Sequence, residues 1–116
     1  MSIVEARKLA GAGRPKAQLQ LGWLLVESGD YFEAYKWMSL ALDGGLEGAI
    51  EATEFLEASE KVSHEQIRDA YFDIACWCEE GSVVPLNVPA AVRLWEVAEA
   101  LGHPLAPSRL RKWRGG

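Results

Sequence analysis

One short phrase, Gly-x-x-x-Ala, occurs three times in this chain, and it constrains the fold more than any other feature. It spans Gly13–Ala17, Gly45–Ala49 and Gly102–Ala106, and each copy follows an apolar pattern of helical period. Glycine suits the left-handed position that ends a helix, and alanine lets the next helix pack closely. The phrase therefore predicts a turn between neighbouring helices, and its repetition predicts stacked helical hairpins.

Apolar residues at spacings of three and four predict an all-α protein, since no alternating strand pattern is present. Pro15 fits the first turn of a helix, Asp30 is a predicted N-cap, and two prolines in residues 82–89 exclude a helix through that loop. The seven predicted helices span residues 3–10, 15–28, 31–43, 46–60, 64–80, 90–101 and 105–113.

Most of the chain resembles the Sel-one-like repeat family, a relative of the tetratricopeptide repeat. The C-terminal match is carried by Ala70, Ile74, Ala75, Cys78, Gly81, Val84, Asn87, Ala91, Leu94, Trp95, Ala98, Gly102 and Ala106. The N-terminal match is carried by Ala17, Leu21, Gly22, Leu25, Ala34, Trp37, Met38, Ala41, Gly45 and Ala49. The resemblance implies a short right-handed α-solenoid of stacked antiparallel hairpins, in which Trp37 and Trp95 are packing residues.

The spacing of the phrase departs from a regular repeat in the middle of the chain, between Gly45 and Gly102. We therefore expect a single repeat domain that is irregular there, with a local break in the superhelix. Its parts are a half-repeat (1–13), a hairpin (15–44), a degenerate repeat (46–63), a repeat (64–106) and a C-terminal helix with a basic tail (105–116).

Charge is distributed unevenly along the 116 residues, whose net charge is −5. Residues 27–80 hold 14 acidic residues against 3 basic ones, whereas the chain ends are basic. A negative net charge argues against nonspecific nucleic-acid binding, which needs a basic surface. The bias can reflect solvated helix faces, an acidic surface for a basic partner, or head-to-tail association of acidic and basic parts.

The sequence offers no pattern for a metal or cofactor site. His64 and His103 lack second ligands at metal spacing, and Cys76 and Cys78 point to different sides of one predicted helix. One buried and one half-buried free thiol is the expected state, which suits a reducing cytoplasm. The N-terminus lacks a signal-peptide pattern and no window is apolar enough for a membrane span, so we expect no membrane association.

Helical-hairpin arrays hold their partners in a groove lined by the first helix of each hairpin. In this chain those helices carry aromatic residues among carboxylates, which favours a protein or peptide with apolar anchors and basic residues. The candidate partner-binding residues are Leu19, Trp23, Glu27, Glu51, Phe55, Phe72 and Glu79. The alternative is that some of these aromatic residues cover neighbouring helices; Trp23, outside the repeat's packing pattern, is the first to test.

These patterns favour a non-catalytic protein-interaction module, an adaptor or regulator without a cofactor. A narrower form of this hypothesis is an immunity or chaperone protein that neutralises a toxin or effector. Two further alternatives are an enzyme or enzyme subunit that uses the acidic groove, and structural self-association through end helices that have no cap.

Overall fold

A computed structural model describes residues 1–115, and across that range the chain forms seven α-helices and no β-strand. This confirms the prediction of an all-α protein. The helices are α1 (Ile3–Gly11), α2 (Pro15–Glu27), α3 (Tyr31–Asp43), α4 (Ala49–Ala58), α5 (His64–Glu80), α6 (Val88–Ala100) and α7 (Ala106–Trp113). No helix in the described range is both long and apolar enough to cross a bilayer.

The Gly-x-x-x-Ala phrase ends one helix and precedes or begins the next in all three copies. Its glycines, Gly13, Gly45 and Gly102, have φ values of 89°, 79° and 92°. After Gly102, the His103 N–H donates to the Ala98 carbonyl at 2.9 Å, a bond that satisfies a free carbonyl at the helix end. The phrase alanines Ala17, Ala49 and Ala106 are all buried, as close packing of the following helix requires.

The first compact unit, residues 1–63, contains α1 to α4. Pro15 lies beside Gly44 and Gly22 lies beside Met38, so α2 and α3 run antiparallel as a hairpin. Neighbouring helices are tied by polar side chains. Gln18, which is buried in α2, donates to the Ala10 carbonyl of α1, and Tyr35 of α3 donates to Glu57 of α4.

The second compact unit begins at His64 and contains α5, α6 and α7. α5 and α6 pack on each other, and α7 packs on α6. Trp95 of α6 is fully buried, as Trp37 of α3 is in the first unit, so both tryptophans are packing residues as predicted. The boundary between the units follows the segment expected to lose its register. The single repeat domain and the solenoid arrangement remain predictions.

Three details differ from the prediction. α4 begins at Ala49 rather than at residue 46, because Gly48 adopts φ 93° and cannot continue a right-handed helix. The apolar helical period predicts that Ile50 points inward, but its side chain is 51% exposed because the buried face of α4 consists of Ala49, Ala52, Thr53 and Leu56. α6 begins at Val88 rather than at residue 90. Pro89 fits its first turn, and the Asn87 side chain caps it by accepting from the Ala90 N–H.

Candidate protein-interaction surface

Two exposed aromatic residues of the first unit, Trp23 on α2 and Phe55 on α4, lie against each other. Their ring centroids are 5.7 Å apart and the ring planes are inclined by 49°. This geometry is within the range of favourable aromatic pairs. Trp23 is nevertheless 39% exposed and Phe55 is 47% exposed, so the pair presents a substantial apolar area to solvent. A large exposed apolar contact of this kind marks a candidate interaction site.

Leu19 and Glu27 lie on the same face of α2 as Trp23, each four residues away along the helix. We call these three residues the Trp23 stripe. Leu19 is half-buried and lies at the start of α4, where a Cβ added to Gly48 would stand 3.8 Å from the Leu19 Cδ2. Glu27 is exposed at the other end of the stripe and has no ion pair among the described residues. The stripe therefore runs from an apolar end, through an aromatic centre, to a free carboxylate.

The α4 side of the surface is acidic. This helix contains Glu51, Glu54 and Glu57 and no lysine or arginine. Glu51 lies four residues before Phe55 and therefore shares its face of the helix. Glu57 accepts a hydrogen bond from the Tyr35 hydroxyl at 2.6 Å, whereas Glu51 and Glu54 are exposed without ion pairs in the described chain. Trp23 and Phe55 thus each share a helix face with a carboxylate that has no ion pair in the described chain.

An open groove of about 230 Å³ borders the Trp23 ring. Met1, Gln20, Leu24 and Glu27 complete its lining. Sequence reasoning missed the contributions of Met1, Gln20 and Leu24. The period of α2 gives no sign that the chain start lies near this helix, and Gln20 and Leu24 lie beside the Trp23 face rather than on it. The groove has room for a single side chain beside Trp23, not for a buried small molecule.

Phe72 and Glu79, the two candidates in the second unit, are already engaged by other parts of that unit. The Phe72 ring is only 8% exposed and stacks on the His103 ring, with centroids 4.0 Å apart and planes 4° apart. Glu79 lies near the side chains of Arg109, Lys112 and Trp113 of α7. Neither side chain is free for a partner while α7 occupies this position. For Phe72 the alternative, that an aromatic residue covers a neighbouring helix, describes the structure.

The remaining residues that could carry chemistry are the cysteines, the histidines and the other carboxylates. Within residues 1–115, no group of three or more His, Cys, Asp and Glu side chains is placed to hold a metal ion. Cys76 and Cys78 form no disulfide, and they are half-buried and buried respectively, as predicted. His103 contributes to the turn between α6 and α7, where its Nδ1 accepts from the Leu105 N–H at 3.1 Å.

No protein-family model, no curated protein and no solved structure matches this chain. The functional inference therefore rests on the residues and contacts described above. Of the seven predicted partner-binding residues, five belong to the first unit: Leu19, Trp23, Glu27, Glu51 and Phe55. We call these five the aromatic–acidic surface.

Proposed function

We propose that this chain is a non-catalytic protein-interaction module that binds a partner protein or peptide through the aromatic–acidic surface. The observation that carries this proposal is the exposed Trp23–Phe55 pair, flanked by carboxylates that lack ion pairs in the described chain. Tryptophan is enriched among the residues that dominate binding energy, and it is costly to leave in water.

The charges of the surface favour a partner with basic residues. Glu27 and Glu51 lie on the same helix faces as the aromatic pair, and α4 carries no compensating cation. A partner that brings lysine or arginine to these carboxylates would gain complementary charge at the rim while its apolar groups cover the rings. A negative surface also repels nucleic acid, so the proposed partner is a protein or peptide.

In the finer form of the proposal, the chain is a cytoplasmic adaptor or regulator of the Sel-one-like class. The two free thiols suit a reducing compartment, since oxidising compartments favour disulfides. The three phrase turns support the assignment to this repeat family, as do the two buried tryptophans, which lie eight residues before Gly45 and seven before Gly102. A toxin or effector is one class of partner that such a protein would hold.

Site-specific photocrosslinking in the native cell tests the proposal. A photoreactive amino acid is placed at Trp23, and as a control at Leu86, which is also exposed but lies in the loop before α6. We expect one or a few proteins to crosslink from position 23 and not from position 86. Each candidate is then purified and titrated against the wild-type chain by calorimetry.

The purified partner should lose at least about tenfold in affinity for Trp23→Ala and Phe55→Ala, as expected of central aromatic contacts. Glu27→Gln and Glu51→Gln, each made singly, should slow association and weaken its dependence on salt, whereas the matched single variant Glu65→Gln, exposed at the start of α5, should not. Equal affinity for the aromatic variants and the wild type would refute the proposal. A substrate turned over by the chain, with activity lost in Glu27→Gln and Glu51→Gln, would favour an enzyme instead.

A further inference from the structure

The C-terminal helix α7 packs on α6, and its side chains reach one face of α5 in the second unit through polar and aromatic contacts. We define the α5 face as Asp69, Phe72, Cys76 and Glu79, which follow one another at spacings of three and four residues. Sequence reasoning placed two of these four residues, Phe72 and Glu79, on a binding groove. In the structure, a segment of the chain itself occupies that face.

Glu79 is the centre of the contact at one end of the α5 face. Its Oε1 is 3.8 Å from the Arg109 guanidinium, and its Oε2 is 3.6 Å from the Lys112 Nζ. The Trp113 indole N–H donates to the same Oε2 at 3.2 Å. The Glu79 carboxylate thus forms two ion pairs and accepts one hydrogen bond, all from side chains of α7.

Phe72 is the centre of the contact at the other end. One face of the ring stacks on His103, in the turn before α7, and the Arg109 guanidinium lies 5.8 Å from the ring centroid. The distance fits a cation–π interaction. Arg109 therefore joins both ends of the α5 face, contacting the aromatic ring and approaching the carboxylate.

Cys76 lies between these two ends on the same face of α5. Burial raises the pKa of its thiol, and the positive charge of Arg109 opposes that effect. The thiol is half-buried, and both Arg109 of α7 and Trp95 of α6 act on it. We therefore expect its chemical accessibility to increase when α7 leaves. This position gives the α5 face a native reporter group.

The attachment of α7 is weak for a helix of eight residues. Only Ala106 and Leu110 are buried in it, while Arg109 and Trp113 remain nearly half exposed and Lys112 about two thirds exposed. Ion pairs between partly exposed groups contribute little and are screened by salt. A short terminal helix with so little buried apolar surface belongs to the part of a fold that opens first.

We propose that α7 is a displaceable occupant of a binding surface on α5, and that this surface accepts a basic helix of the same chemistry from a partner protein. The required pattern is the one that α7 shows: a cation, a second cation three residues later, and an aromatic residue directly after it. The two cations and the indole N–H recognise Glu79, and the first cation also covers Phe72. This second surface is independent of the aromatic–acidic surface.

The alkylation rate of Cys76 in the intact chain, followed by peptide mapping to separate it from Cys78, tests the first half of the proposal. The variant Arg109→Gln with Lys112→Gln removes both cations that approach Glu79. We expect the Cys76 thiolate to react about two- to tenfold faster in it, because each partly exposed ion pair is worth at most about a factor of five. The rates are compared per thiolate, from their dependence on pH, because loss of the Arg109 charge also raises the pKa of the thiol. The charge-matched control is Arg14→Gln with Arg111→Gln, since neither arginine has an ion pair among the described residues.

A synthetic peptide of residues 105–114, LAPSRLRKWR, tests the second half. Added to the Arg109→Gln, Lys112→Gln variant, it should slow the alkylation of Cys76 toward the wild-type rate, and the same peptide carrying Trp113→Ala should not. Circular dichroism verifies that each variant keeps its helix content. The proposal is overturned if the peptide leaves the Cys76 rate unchanged. It is equally overturned if the amides of α7 in the wild type exchange no faster than those of α6, since α7 would then open only with the whole unit.

Discussion

Gly22 of α2 lies so close to Met38 of α3 that a Cβ built on the glycine would stand 2.7 Å from the methionine Cγ. The Ala34 carbonyl oxygen would be 3.3 Å away. The absence of a side chain at position 22 therefore sets how closely the two helices of the hairpin approach. The resemblance to the repeat family includes Gly22, and the structure shows that the Met38 side chain occupies the space beside it.

We predict that Gly22→Ala destabilises the protein although alanine is the better helix former. The overpacking strain of about 1–3 kcal/mol should exceed the roughly 1 kcal/mol gained in helix propensity. Urea unfolding measures the difference. In a Met38→Ala background the clashing Cγ is absent, so the same change should cost less. An identical cost in both backgrounds would show that Met38 is not the obstacle.

The positions of the helices were predictable because local rules determine them. Period, the phrase glycines, Pro15 and the Asp30 cap all act within a few residues of the helix ends that they define. Asp30 does accept a hydrogen bond from the Glu33 N–H, as a cap requires. The start of α4 was missed because the sequence Gly45-Leu-Glu-Gly-Ala49 contains two glycines, and only the structure shows that Gly48 also adopts a left-handed conformation.

The sequence predicted which residues of the candidate surface share a helix face, but not which residues of different helices contact each other. Helical spacing places Trp23 with Glu27 and Phe55 with Glu51, but the contact between the two rings depends on how α2 and α4 pack. Likewise, the acidic α5 and the basic C-terminus were both visible in the sequence. Their pairing through Glu79 depends on tertiary contacts between distant residues, which periodicity does not encode.

The Trp23–Phe55 pair should contribute only modestly to stability, which makes it suitable for functional tests. We predict a coupling free energy of about 0.5–1 kcal/mol in a double-mutant cycle of Trp23→Ala and Phe55→Ala, near the lower end for aromatic pairs because both rings are partly exposed. By comparison, Trp37→Ala removes a buried side chain and should cost about 3–5 kcal/mol. Additive single losses at positions 23 and 55 would show that the two rings do not interact in solution.

The contact between Arg7 of α1 and Glu33 of α3 predicts a loss of stability in acid. The Arg7 guanidinium donates to both Glu33 carboxylate oxygens, at 2.5 Å and 3.3 Å, and the Trp37 indole N–H donates at 3.2 Å. The hydrogen bond from Arg7, more than that from Trp37, lowers the pKa of Glu33 below its ordinary value of 4.5. Because the folded state favours the ionised form, this stabilisation is present above pH 4.5 and is lost as the pH falls below it.

Glu33→Gln should therefore reduce the unfolding free energy at pH 7 by about 1 kcal/mol or less, as for a partly exposed pair. It should also flatten the decline in stability at acidic pH. Arg7→Gln tests the cause separately, because the carboxyl pKa of Glu33, followed by NMR, should rise in that variant. An unchanged Glu33 pKa would mean that Arg7 is not its main partner.

His103 provides a second dependence on pH, at the junction between α6 and α7. Its Nδ1 accepts from the Leu105 N–H, and its Nε2 lies 3.6 Å from the Asp69 carboxylate, which is also bound by Arg68 at 3.0 Å. Burial lowers the pKa of His103 below 6.5, although the negative charge of Asp69 opposes this shift. The neutral imidazole, with its proton on Nε2, is therefore the form that fits the fold.

We predict that the second unit loses stability as the pH falls through 6.5, where the unfolded chain takes up a proton on His103 more readily than the folded chain does. Protonation would also remove the Nδ1 acceptor from Leu105, at the start of α7. His103→Asn keeps an oxygen that can accept from the Leu105 N–H and does not titrate. It should be less stable than the wild type at pH 7.5, because the stack on Phe72 is lost, and should change less between pH 7.5 and 5.5. Hydrogen exchange of the α7 amides at the two pH values, corrected for the intrinsic rate, measures both effects; an equal change in both proteins would exclude His103 as the cause.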